Sequence, residues 1–124
     1  MIELDLQSRT PVYQQIKERI IELIMMDLLA PDEKLPSVRS LATELGINPN
    51  TIQKAYQELE GEGVIYTVGG KGCFVSKREN AEELMHLKLV ENLKETMRTA
   101  KLAGIPLEEL EGMAREIYGG EDEC

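Results

Sequence analysis

The sequence predicts a mainly α fold with one small β-hairpin, divided into an N-terminal module over residues 1–78 and a two-helix tail over residues 79–124. Three observations predict it. Apolar residues recur with helical spacing in five separate stretches. Two short β-prone runs flank Gly69-Gly70-Lys71-Gly72, a strong hairpin signal. Near Lys77, Arg78 and Glu79 a strand-like segment gives way to helical periodicity, which marks the boundary.

In the first stretch Thr10 is a candidate N-cap and Pro11 suits the first helical position. Val12, Tyr13, Ile16, Ile20, Leu23, Ile24 and Leu28 make its apolar stripe, so this is a long core helix, ended by the turn Ala30-Pro31-Asp32-Glu33. Lys34-Leu35-Pro36 reads as a short extended piece leading to a second helix capped by Ser37. That helix buries Val38, Leu41, Ala42 and Leu45, and Gly46 stops it. Asn48 caps a third helix with Pro49 in its first position.

The third helix has two distinct faces. Ile52, Ala55, Tyr56 and Leu59 fall at i, i+3, i+4 and i+7 and form a core face, while Asn50, Gln53, Lys54 and Gln57 repeat that spacing roughly opposite. A short helix, a tight turn with glycine and a second helix is the helix-turn-helix arrangement, whose second helix enters the DNA major groove. Asn and Gln can bond adenine bidentately, Lys54 can reach guanine acceptors or a phosphate, and free backbone N–H groups beside Thr51 can bind a phosphate. Lys or Glu is the commoner filler of an idle helix surface, so the amides favour the reading role. The runs Val64–Val68 and Cys73–Ser76 then form a wing with Lys71 at its tip. The glycine-rich turn lacks the P-loop pattern and precedes a strand, which excludes a nucleotide-binding loop.

Charge and composition bound the remaining choices. The chain has 42% hydrophobic and 30% charged residues among 124, which suits one small globular domain with an appendage. Its net charge of −9 is unevenly spread: residues 1–78 hold nine basic against eleven acidic residues, a balance of −2, and residues 79–124 hold five against twelve, a balance of −7. The acidity belongs mostly to the tail, and groove binding depends on the local face presented. No apolar run approaches membrane-spanning length, and MIELDLQSRT lacks the regions of a signal peptide, so a cytoplasmic protein without a membrane partner is expected. Cys73 and Cys124 have no framework spacing and read as free thiols. The lone His86 has only Glu82 and Glu83 nearby, which makes it a surface or interface residue; no metal or other cofactor is expected.

The stretch "LPSVRSLATELGINPNTIQKAYQELEGEGVI" followed by "GGKGCFV" resembles the winged-helix DNA-binding domain of the GntR family of bacterial transcription regulators, and its NPNT and KAYQELE are similar to the YtrA-type branch. The resemblance covers roughly residues 10–76 through Leu35-Pro36-Ser37, Arg39, Leu41-Ala42, Thr51, Ala55, Leu59, Gly63, Gly70, Gly72 and Phe74-Val75. It implies that Ser37, Arg39, Thr51, Gln53 or Lys54, and the wing residues Gly70, Lys71 and Gly72 lie against DNA, beside Asn48, Asn50 and Gln57. Gly69 stands where the family's wing pattern often has a basic residue.

The tail sets the kind of regulator. Asn80 is a candidate cap for a helix with Glu82 and Glu83 in its first turn and the stripe Met85, Leu89, Leu93, Met97 and Ala100. Gly104 ends it, and Pro106 opens a shorter helix that turns Leu107, Leu110, Met113, Ala114 and Ile117 inward. Two such helices cannot enclose each other's apolar faces, so they pack on the winged domain or on a second chain. The favoured outcome is a homodimer joined through Met85, Leu89, Leu93, Met97, Ala100, Leu110, Met113 and Ile117.

The full expectation is an N-terminal winged helix-turn-helix plus a C-terminal two-helix dimerisation tail. Its function is that of a repressor binding double-stranded DNA at an inverted-repeat operator. About 46 residues of tail are too few for the larger effector domains of the family, which leaves any unidentified small-molecule effector to act near the junction Lys77 to Glu82. An alternative keeps the same fold as a module binding protein or RNA without operator specificity. An enzyme is not expected: there is one histidine, and the acids lie on solvated helix faces.

Overall fold

The computed structural model describes residues 2–122. In chain order it places α1 (Val12–Met25), α2 (Val38–Leu45), α3 (Pro49–Gly61), β1 (Ile65–Val68), β2 (Gly72–Val75), α4 (Arg78–Leu102) and α5 (Leu107–Asp122). They form two compact units, one up to His86 and one from Leu87 onward.

α1 differs from its sequence reading at both ends. Pro11, not Thr10, is the N-cap residue, and no side chain caps the helix. The Thr10 carbonyl instead accepts from Gln15 Nε2 at 2.9 Å, an amide that also bonds the Asp5 carbonyl and so ties down the segment ahead of the helix. At the other end Asp27 adopts φ 60°. Leu28 N–H donates to the Leu23 carbonyl at 2.8 Å and Asp27 N–H to the Ile24 carbonyl at 3.1 Å, a Schellman turn. It ends the helix earlier than the apolar stripe suggests, so Leu28 is exposed and Leu29 is buried in its place. Arg78 completes this end: its Nη2 donates to the Met25 carbonyl at 2.7 Å and its Nε lies 3.6 Å from Asp27 Oδ1, a cation where the helix dipole favours one.

The helix-turn-helix follows its local signals closely. Ser37 Oγ accepts from Ser40 N–H at 3.0 Å. Gly46, at φ 68°, takes the left-handed conformation that closes α2, which a Cβ would disfavour. Asn48 Oδ1 accepts from Asn50 N–H at 2.8 Å, with Pro49 in the first turn. The strands pair antiparallel with Ile65 opposite Val75 and Val68 opposite Gly72. Gly72 is therefore a strand residue, and the loop is Gly69-Gly70-Lys71, shorter than the four-residue turn read from the sequence. The extended piece before α2 joins the hairpin as a third, partial strand: Leu35 N–H bonds the Cys73 carbonyl and Val75 N–H the Glu33 carbonyl, with Lys34 bridged to Phe74.

One apolar core holds this unit together. Ile16, Ile20, Leu23 and Ile24 of α1, Leu41 and Ala42 of α2, Ile52, Ala55, Tyr56 and Leu59 of α3, and Val64, Ile65 and Val75 at the hairpin are all buried in it. Burial of each large side chain stabilises by about 1.5–3 kcal/mol. Burial pushes the Tyr56 phenol well above its usual pKa, and its hydroxyl donates to the Pro36 carbonyl at 2.7 Å, fixing the entry to α2. Lys17 sits in the same interior at 3% exposure. Its ammonium lies 2.8 Å from Glu58 Oε1 and 3.2 Å from Glu62 Oε1, so an ion cluster links α1 to the end of α3.

The first turns of α4 belong to this unit. Asn80 is inside α4, not at its cap, because Arg78 already begins the helix. Its Nδ2 donates to the Gly63 carbonyl at 2.9 Å. Ala81 is buried in the core and Leu84 and Met85 pack against it. In the second unit α4 ends at Leu102, where Gly104 has φ 90° and Ile105 N–H bonds the Ala100 carbonyl at 3.0 Å. Ala100, Ile105 and Leu110 are half-buried. Leu89, Leu93, Met97, Met113 and Ile117 are 60%, 60%, 41%, 40% and 63% exposed, as are Leu107 and Ala114 for the most part.

Candidate nucleic-acid interface

The outward face of α3 is built from the back: because Ile52, Ala55, Tyr56 and Leu59 are anchored in the core, Asn50, Gln53, Lys54 and Gln57 are all exposed. They do not act as one group. Gln53 and Gln57 line a crevice of about 280 Å³ with Val38 of α2, Tyr56 and Glu60 of α3, and Thr67 and Cys73 of the hairpin. Lys54 turns toward α1, where its Nζ stands 3.9 Å from the centroid of the Tyr13 ring. A cation over an aromatic face is stabilised by about 0.5–1 kcal/mol at an exposed site, so the ring holds the ammonium at the α1 edge of α3. Tyr13 thus becomes a neighbour of the reading face, which the sequence hid by making it part of a core stripe.

The N-terminal turn of α3 also departs from expectation. Asn50 N–H donates to Asn48 Oδ1 and Thr51 N–H to the Asn48 carbonyl at 3.0 Å, so the free N–H groups read from the sequence are already bonded. What Thr51 can offer a phosphate is its hydroxyl. Asn48 keeps its two amide N–H donors for an outside acceptor. Ser37 has the same division: its oxygen caps α2 while its O–H can still donate.

Electrostatic pairing separates the cations by role. Lys17 and Arg78 are tied to carboxylates and serve the fold. Arg39 and Lys71 are exposed and form no ion pair among the described residues. Arg39 follows the α2 cap, and Lys71 closes the wing turn with its N–H on the Val68 carbonyl at 2.9 Å. Gly70, at φ 77°, and Gly72 flank it. The acidic total is thus compatible with exposed cations on α2 and at the wing turn that form no ion pair among the described residues. No group of His, Cys, Asp and Glu among the described residues could hold a metal ion. His86 is exposed and Cys73 is a half-buried free thiol 3.6 Å from Thr67 Oγ1, while Cys124 lies outside the described residues. No described helix is long and apolar enough to cross a membrane.

This arrangement of capped helices, crevice and wing has close relatives. Residues 12–75 match the family described as bacterial regulatory proteins, gntR family. The chain belongs to the GntR family. Over nearly its whole length this GntR-family chain is similar to the HTH-type transcriptional repressor YtrA of Bacillus subtilis (strain 168). The two are 45% identical over 121 residues, 94% of this chain and 92% of YtrA, which supports the YtrA-type branch. The crystal structure of a transcriptional regulator from Oenococcus oeni is similar at a TM-score of 0.78 and 31% identity, covering 95% of this chain and 99% of that one. The DNA-binding domain of AraR, solved in complex with operator ORX1, is similar at a TM-score of 0.55 and 34% identity over 60% of this chain and 96% of its own. As a GntR-family member the chain is a transcriptional regulator with a DNA-binding winged helix, not an enzyme.

Proposed function

We propose that this regulator binds an inverted-repeat operator as a cytoplasmic homodimer and represses transcription, with residues 1–78 reading DNA and residues 79–124 joining the two chains. The observation that carries the reading is the crevice presenting Gln53 and Gln57 between α2 and the wing, with Glu60 also on its lining; beside it stand Arg39 of α2 and Lys71 of the wing turn as exposed cations that form no ion pair among the described residues. The repressor role rests on the similarity to YtrA, a protein named for repression. Dimerisation rests on the exposed stripe Leu89, Leu93, Met97, Met113 and Ile117. Ala100 and Leu110 border the turn between the tail helices, and Met85 is half-buried against the core of the first unit.

Roles divide between positioning and reading. Ser37, Arg39, Asn48, Thr51, Gly70, Lys71 and Gly72 hold the phosphate backbone, Asn50, Gln53 and Gln57 face bases, and Lys54, with its ammonium over Tyr13 at the α1 edge, reaches a guanine or a phosphate from there. Arg39→Ala is expected to weaken binding to operator and random duplex alike and to lower the salt slope by about one unit per protomer. Gln53→Ala is expected to relax preference at one base position at a cost of about 1–3 kcal/mol. Titrations of both variants against an operator fragment and a scrambled duplex test this. Equal losses on the two duplexes for Gln53→Ala, or wild-type protein that binds RNA as tightly as operator, would remove the operator-reading assignment.

A small-molecule effector would act by changing how two winged units are presented, since a dimer needs its reading helices one DNA turn apart, about 34–36 Å. A polar hollow of about 350 Å³ lies beside the proposed junction, lined by Asp32, Tyr66, Ser76, Lys77 and Asn80.

A further inference from the structure

We infer that Lys34, in the extended link between α1 and α2, is a phosphate-contacting residue of the wing. The inference rests on the DNA-binding reading above and adds a residue that neither helix supplies. Lys34 is bridged to Phe74 at the outer edge of β2, so its side chain leaves on the face shared by the pairs Tyr66–Phe74 and Val68–Gly72. The opposite face carries Thr67 and Cys73, which close the crevice against Gln53 and Gln57. Lys34 therefore lies on the side of the wing away from α3.

Gly72 is the device that brings it to the tip. A Cβ built on Gly72 would stand 3.0 Å from Lys34 Cε and 3.8 Å from its Nζ. The lysine stem thus runs across the bare glycine, and its ammonium lies beside Gly72, the residue that follows the Gly69-Gly70-Lys71 turn. Gly72 also has φ 117°, a conformation that L side chains rarely adopt. Neighbouring acids make no direct ion pair with the ammonium among the described residues. Asp32 Oδ1 accepts from the Tyr66 hydroxyl at 2.7 Å and Glu33 Oε1 from Ala30 N–H at 2.9 Å. A hairpin entering a groove has a phosphate strand on either side. α3 and Arg39 serve one side, and Lys34 supplies the cation for the other, next to the single lysine of the tip.

The test compares wild type, Lys34→Met and Lys34→Arg on operator and mixed-sequence duplexes over a series of salt concentrations. Methionine keeps an apolar stem over Gly72 and removes the charge; arginine keeps the charge. Lys34→Met is expected to reduce the slope of log affinity against log salt by about 0.9 per bound protomer on both duplexes. Per protomer, the loss of affinity between 50 and 200 mM salt then becomes about 3.5-fold smaller than in wild type. Lys34→Arg is expected to keep the wild-type slope, with thermal midpoints checking that all three proteins are folded. An unchanged slope in Lys34→Met, or an equal fall in both variants, overturns the phosphate role while leaving DNA binding intact. Wild-type protein that binds neither duplex would sink the DNA-binding reading along with it.

Discussion

Leu93→Glu combined with Met97→Glu is expected to convert the protein from dimers to monomers. Both side chains are large, apolar and exposed in the single chain, on the stripe that continues through Leu89. Burying residues of this size against a second chain contributes about 1.5–3 kcal/mol each before the costs of association. A glutamate at either position places an unpaired charge in that interface, and each replaces an attractive term with a desolvation penalty. The functional consequence is larger than the structural one. Two linked winged units bind a two-half-site operator with an avidity gain of about 10²–10⁴-fold, so the double variant should lose affinity of that order on the full operator and little on one half-site. Sedimentation and paired titrations check it. A wild type that sediments as a monomer at micromolar concentration would rule out the dimerisation role of the tail.

The second large effect concerns the interior of the winged unit. Glu58→Gln with Glu62→Gln leaves the Lys17 ammonium buried at 3% exposure without either carboxylate. Lys17 is buried, but Glu58 and Glu62 are 38% and 29% exposed, so solvent screens part of the loss and removing both carboxylates costs about 1–3 kcal/mol, a sizeable share of the 5–15 kcal/mol typical of a domain. Adding Lys17→Met should recover most of the loss, because an apolar chain of similar length then fills the same space. The midpoint of denaturant unfolding reads both steps, and a glutamine pair as stable as wild type would show that the cluster contributes nothing. The pH dependence has a definite sign. Burial alone would lower the Lys17 pKa, and the two carboxylates overcome it, holding the ammonium above its ordinary 10.5. A folded-state value above the unfolded one means that this stabilisation is fully present below pH 10.5 and is lost as pH rises through the folded value.

Locally encoded features were legible from the chain itself. Ser37, Gly46, Asn48 and Pro49 act within a few residues of where they stand, so helix boundaries in the helix-turn-helix follow from residue type. The core face of α3 follows from spacing, since a single period brings Ile52, Ala55, Tyr56 and Leu59 into line. The glycine-rich turn between β-prone runs likewise specified the wing, apart from Gly72, whose pairing with Val68 makes it a strand residue.

Tertiary structure decided whatever depends on a distant partner. Lys17 reads as a polar interruption of α1 until Glu58 and Glu62 arrive from α3 to permit its burial. Asn80 has the chemistry of a cap, yet its amide is taken by Gly63, seventeen positions back. The Schellman turn at Asp27 exposes Leu28, which periodicity alone would bury, and buries Leu29. Lys54 belongs by spacing to the reading face, but the Tyr13 ring from α1 draws its ammonium to one edge. Caps, turns and faces rest on interactions a few residues apart, which composition and period encode. Buried charges, capping amides and the aim of long cationic side chains depend on which surfaces packing brings together, and a linear pattern carries no coordinate for that.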